Sequence, residues 1–224
     1  MKVSELSDRS GVTIASIKFY LREGLLFAGQ AESATRTEYD ETHLSRLRLI
    51  RALIDVGGLS VIAARAVIAA IDDDGLPIVY AFGIAQHAVS ASLASATPPS
   101  VEGLDHVETL KEARGWKTHG RNPGELIAAR VVDAFTGIGR PDLIALLPAY
   151  AEAAEIVARA DLGVVLTHGD DRRLMVETVV VGTALGDGLF AGLRRIAQED
   201  IARSLGLPGS SLEPLPTDQN GSTS

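Results

Sequence analysis

Apolar residues recur at helical spacing through most of this chain, and the most informative instance lies at 13–24. Ile14, Ile17 and Leu21 fall on one helical face, the stripe that a surface helix buries. Ala15, Ser16, Phe19 and Arg22 fall opposite, with Lys18 and Tyr20 on the flanks, and no carboxylate interrupts this outward face before Glu23. A merely solvated face more often pairs Glu with Lys one turn apart and does not expose a phenyl ring. Small residues, hydroxyls, cations and rings on a short helix suit a DNA major groove.

The flanking pattern supports that reading. A short helix is expected over 3–9, capped by Ser4 with Leu6 inward, broken at Ser10-Gly11 and followed by Thr13 as the next cap. Two helices joined by a tight Gly-containing turn form a helix-turn-helix, in which the first helix presents the second to DNA. After Gly24, Leu25-Leu26-Phe27 predicts a short strand, 28–37 a polar loop and Glu38-Tyr39 the return strand, together a small wing. Arg36, between Thr35 and Thr37, places donors for a phosphate near the tip. Asp40 caps a third helix over 41–56 with Leu44, Leu47, Ile50, Leu53 and Ile54 inward, leaving Arg46, Arg48 and Arg51 off the stripe. Gly57-Gly58 stops it, and Ser60 caps a fourth helix over 61–71, a natural phosphate contact.

Beyond residue 71 the chain remains helical. The segment 78–94 is expected to turn Val79, Phe82, Val89 and Leu93 inward, and the run 96–100, with Pro98 and Pro99, reads as a linker. Further helices are expected over 100–114 (Val101, Leu104, Val107 and Leu110 inward), 124–136, 141–160 and 171–205. The last holds Gly182, Gly186, Gly188 and Gly192. Interior glycine costs a helix up to about 1 kcal/mol each against alanine, so close approach of another helix, in the same chain or a second copy, is the expected reason. The pattern divides the chain into a head at 1–71, a connecting or dimerisation helix at 72–96, a helical domain at 97–207 and a tail at 208–224 whose composition favours disorder.

The net charge of −8 is unevenly spread: residues 1–70 hold nine Lys/Arg against eight Asp/Glu, whereas 71–224 hold twelve against twenty-one. The acidic surplus is thus separate from the proposed DNA-facing helix. Cysteine is absent, which excludes disulfides and thiolate metal sites. The start of the chain lacks a signal-peptide apolar core, and the most apolar run, 179–193, is interrupted by Asp187, so a cytoplasmic protein with no membrane span is expected. His87, His106, His119 and His168 do not fall at metal-ligand spacings, and the glycines after 181 lie on a helix and not in a phosphate loop. No catalytic residues, metal or cofactor are therefore assigned.

Several spaced motifs agree in order with one family. Val3-Ser4-Glu5-Leu6, Gly11-Val12-Thr13, Ile17-Lys18-Phe19-Tyr20, Arg22-Glu23-Gly24-Leu25-Leu26, Tyr39-Asp40-Glu41, Leu47-Arg48-Leu49-Ile50 and Gly57-Gly58-Leu59-Ser60 resemble the winged-helix head of MerR-type transcription regulators. The resemblance runs without a gap over 1–71. Lys18-Phe19-Tyr20 stands where the family has Arg-Tyr-Tyr, and Thr37 occupies the usual place of the wing arginine, with Arg36 one residue earlier. The resemblance implies a mainly α protein: a winged helix-turn-helix with a small β-hairpin wing, followed by a helical C-terminal domain. It also implies a homodimer on a pseudo-palindromic promoter operator, with RNA polymerase as a further partner, and a mechanism in which the dimer bends and untwists a promoter with an overlong spacer. Thr13, Ala15, Ser16 and Lys18 are expected at base edges, Tyr20 and Arg22 on phosphates, and Phe19, Arg36, Thr37 and Ser60 in the same interface. A small organic effector would sit among Trp116, Phe135, Tyr150 and Phe190. Two alternatives stay open: a C-terminal domain serving only dimerisation or a protein partner, and a DNA-architectural accessory protein.

Overall fold

Met1 and Tyr39 pair through their backbones, the Met1 ammonium donating to Tyr39 O at 2.5 Å and Tyr39 N–H to Met1 O at 2.9 Å. This holds the chain extended up to Lys2, and helix α1 (Val3–Ser10) starts directly after it. Ser4 therefore lies inside the first turn and does not cap, contrary to expectation. The computed structural model describes residues 1–33, 36–94, 97–118 and 122–206, in two compact units that divide after Leu185. Gly11 ends α1 at φ 66°, a left-handed conformation that glycine adopts without strain. Ser7 Oγ donates to Val12 O at 2.6 Å, and Val12 N–H donates to Ser10 Oγ at 3.2 Å. These bonds fix the turn and bury Val12, and α2 (Ile14–Arg22) follows, capped by Thr13.

The wing begins later than the sequence suggests. Leu25 and Leu26 are not a strand: both are buried, and both N–H groups donate to Tyr20 O, closing α2 onto the core. The strands are β1 (Gln30–Ser33) and β2 (Arg36–Glu38), antiparallel with Gln30 opposite Glu38. Gly29 is required at the entry, because a Cβ there would lie 2.4 Å from Glu38 O. Thr35 lies outside the described residues.

Helix α3 (Glu41–Arg51) is capped by Asp40 and continues as a π-helical turn over Ala52–Val56; α4 (Val61–Asp72) is capped by Ser60. One core joins Leu6, Ile17, Leu25, Leu26, Leu44, Leu47, Ile50, Leu53, Val67 and Ile68. It also takes in α5 (Ile78–Ala94), but through Ala81, Ala85 and Ala88. Val79, expected inward, is 71% exposed, and Phe82 and Val89 are half-buried. The alanines of α5 lie against an Ala-rich α4, where short side chains let helix axes approach closely. Leu93 lies among residues whose side chains are not described.

Helix α6 (Val101–Arg114) packs along α7 (Pro123–Gly137); a 3-10 segment over Pro141–Leu146 leads into α8 (Leu147–Leu166), and α9 (Arg172–Ser204) is the longest element. The close approach that glycine permits occurs at Gly103, where a Cβ would lie 2.4 Å from Asp133 Oδ1 and 2.7 Å from Ala129 O. Val101 is exposed, not inward. In α9, a Cβ on Gly182, Gly186, Gly188 or Gly192 would meet nothing within 4 Å among the described residues, so packing against these residues does not explain the glycines. Val176, Val180 and Ala184 of α9 complete the head core. By length and composition α9 is long and apolar enough to cross a membrane, with mean hydropathy 1.5 over its most apolar window, although 179–193 alone is too short. Burial of Val176, Val179 and Val180 is what a core helix shows equally. The tail at 208–224 lies outside the described residues.

Candidate nucleic-acid interface

The second helix of the helix-turn-helix is held by a few contacts. Ile17 is fully buried and Leu21 half-buried, while Ile14, expected on the same stripe, is 39% exposed at the first turn. Thr13 Oγ1 accepts from Ser16 N–H at 3.1 Å and lies 2.9 Å from Ser16 Oγ. The two hydroxyls thus form one polar spot at the helix N-terminus, where the peptide N–H groups favour negative charge. Ala15 and Lys18 are both exposed.

At the other end of α2 the aromatic pair and a cation are organised together. Phe19 and Tyr20 meet at 5.8 Å between ring centroids, and the Arg22 guanidinium lies over the Phe19 ring at 5.2 Å. Phe19 is therefore half-buried beneath Arg22 and not an exposed ring. The Arg22 side chain remains 69% exposed and only 3.6 Å from Glu23, a loose pair that leaves guanidinium donors to solvent. Burial pushes the Tyr20 hydroxyl above its ordinary pKa, so it stays protonated and can donate. Stacking a cation on an aromatic face fixes its direction at little cost in solvation.

The remaining expected residues come from other elements. Thr37 is exposed on β2; Arg36 opens that strand, and its side chain lies outside what is described. Ser60 caps α4 by accepting from Ala63 N–H at 3.2 Å. Arg65, absent from the expected set, reaches Glu23 at 3.8 Å and so brings α4 to the C-terminal end of α2 beside Arg22. The sequence held a faint signal for it, an outward arginine five residues after a helix cap. Of the arginines off the α3 stripe, Arg48 is exposed. Arg51 bonds Asp55 and Ser10 O, whereas Arg46 is 6% exposed and paired with Asp72, so it is no surface contact.

The family model for MerR helix-turn-helix regulatory proteins matches residues 1–71. Over 95% of this chain and 100% of the other, the fold is similar (TM-score 0.67, 34% identity) to a Streptomyces coelicolor A3(2) protein, SCO5550, described as a candidate transcriptional regulator. The chain belongs to the MerR family. It is accordingly a DNA-binding transcription regulator, and the mainly helical architecture behind a MerR head matches the expectation. No curated protein matches the chain.

The MerR head is followed by a helical region that carries the expected effector residues. Trp116 is half-buried, and its indole N–H donates to Glu155 Oε1 at 2.6 Å, tying the end of α6 to α8. Phe135 is half-buried on α7, Tyr150 is 49% exposed on α8, and Phe190 is half-buried on α9. Two cavities are described in the Met1–Leu185 unit, one of about 420 Å³ between Ser100 and Asp133 and one of about 240 Å³ beside Arg46; none of these four aromatics lines either. Among the described residues, no group of three His, Asp or Glu side chains is placed to hold a metal.

Proposed function

We propose that the chain works as a homodimer on a pseudo-palindromic promoter operator, with α2 of each head in a major groove. The observation that carries this is the division of α2 itself. Ile17 is sealed in the core, while Thr13 at the cap, Ala15 and Arg22 opposite Ile17 and Lys18 on the flank are all exposed. Thr13, Ala15, Ser16 and Lys18 meet base edges, and Tyr20 and Arg22, steadied by Phe19, meet phosphates. Arg36, Thr37 and Ser60 supply flanking backbone contacts, joined by Arg65. Two heads related by a two-fold axis require two half-sites about one helical turn apart.

Exposed apolar surface supports the dimer. Ile156, Val164 and Leu166 of α8 are each more than half exposed, and so, on one face of α9, are Leu189, Leu193 and Ile196. That α9 face includes Gly186, whose open space admits a second helix. The proposed division of labour keeps the head at 1–71, the connecting helix at 72–96 and the helical domain at 97–207. As family resemblance implies, the dimer acts in the cytoplasm with RNA polymerase on a promoter that it bends and untwists. A promoter that stays straight and keeps its free-DNA twist in the activated complex would refute that mechanism. Footprinting on DNA upstream of the coding region tests the operator reading, with a symmetric protected site expected and asymmetric or absent protection counting against it.

A further inference from the structure

Arg46 carries a buried donor without a partner. Its side chain is 5% exposed; Nη2 donates to Asp72 Oδ1, but Nη1 has no hydrogen-bond partner. A guanidinium N–H withdrawn from water and left unpaired costs free energy, so such a group calls for an acceptor. Arg46 also lines the cavity of about 240 Å³, which lies against α3 and α4 and the start of α9. One wall is apolar and aromatic: Leu49, Ile71 and the 42% exposed ring of Phe27, which the Arg46 guanidinium itself approaches at 5.8 Å. Arg173 supplies a second cation and Ser45 a hydroxyl. Of the two acids present, Glu41 is held by Arg9 through two bonds of 2.6 and 2.9 Å; Glu177 stands beside Arg173 on the next turn.

We propose that this cavity, and not the Trp116 region, is the effector site, and that it takes a small organic monocarboxylate with a flat or aliphatic body. The carboxylate is drawn by Arg173 and accepts from Arg46 once the guanidinium turns its unpaired Nη1, closed to solvent here, towards the cavity, while the body lies between Phe27 and the Leu49–Ile71 wall. Charge-assisted bonds to a desolvated guanidinium make the negative charge the main determinant of affinity. The site joins the head to the start of α9, where Arg172 Nη1 already donates to Asp73 O at 3.0 Å, so occupancy tightens that junction. The proposal rests on reading the chain as a ligand-controlled regulator.

Calorimetric titration of the full chain, without DNA, with benzoate, hexanoate and the neutral benzamide tests it. At least one carboxylate is expected to bind at millimolar concentration or better, and benzamide about tenfold or more weakly than benzoate. Ser45→Phe, which fills the cavity from an exposed position, is expected to abolish binding, and Arg46→Lys to remove the preference for charge. Should Arg46→Lys fail to fold by circular dichroism, Ser45→Phe alone decides. No binding by either carboxylate, equal binding of benzamide, or undiminished binding by Ser45→Phe overturns the proposal. DNA binding of the ligand-free protein is measured in parallel. Its loss undermines the regulator reading, whereas intact DNA binding without carboxylate binding removes only the effector site.

Discussion

The Arg22 guanidinium lies over the Phe19 ring, 5.2 Å from its centroid, at the outward end of the recognition helix. The stacking aims a long, exposed cation that its neighbour Glu23 holds only loosely. Replacing Arg22 by Ala should weaken binding to specific and random DNA alike and lower the slope of log affinity against log salt by about one. Phe19→Ala should give a smaller version of the same effect, because the cation survives but loses its platform. Filter binding across a salt series checks both, and an unchanged slope in Arg22→Ala would show that the cation does not face a phosphate.

Lys18 stands exposed on the flank of the same helix, where a base edge is proposed to meet it. Lys18→Ala should cost about 1–3 kcal/mol on the operator and relax discrimination at one base-pair position per half-site, with little effect on random DNA. Competition with single-base operator variants distinguishes this from the uniform loss expected at Arg22.

Glycines at two places should respond in opposite ways. Gly103→Ala drives a methyl into Asp133 and the Ala129 carbonyl and should destabilise by about 1–3 kcal/mol, seen as a lower melting temperature. Gly188→Ala has open space around it and lies off the apolar α9 face, so it should gain up to about 1 kcal/mol of helix stability. Gly186→Leu, on that face, should weaken the dimer in analytical ultracentrifugation. If it leaves the dimer unchanged, α9 pairing through Gly186 is wrong.

Acid should loosen the start of α3 through Asp40. The Thr42 hydroxyl, then the His43 side chain, bond the Asp40 carboxylate and hold its pKa well below the usual carboxylate range. A carboxyl depressed in the folded state contributes stability that is fully present above its unfolded value near 4 and is lost as pH falls below it. Asp40→Ala should therefore lower the melting temperature at neutral pH and leave a shallower loss of stability below about pH 4 than the wild type shows. Parallel curves for the two proteins in acid would contradict the assignment.

The helix-turn-helix was legible because its determinants are local. Gly11 supplies the left-handed turn and Thr13 the cap, and both act within a few residues. Where the determinant is distant, the sequence misleads. Leu25-Leu26 has strand composition but closes onto Tyr20 O, while β1 is built from Gln30, Ala31, Glu32 and Ser33, which carry no alternating apolar signal. Along α5, weighting bulky residues picked Val79, yet the buried face is Ala81, Ala85 and Ala88, chosen by the small residues of α4. Arg46 read as a surface cation because its partner, Asp72, lies on the next helix of the core. The α9 glycines are expected to need a reason, and no described residue comes within 4 Å of a Cβ placed on them; a second chain is the reason proposed here.

The most direct test of DNA recognition through α2 is a footprint on the DNA upstream of the coding region, run with wild type and Arg22→Ala at matched salt. A symmetric protected site with two half-sites about one turn apart, lost or strongly weakened in Arg22→Ala, is the expected result. Protection that the mutant retains in full, or no protection by the wild type at any salt that keeps it folded, would contradict the account.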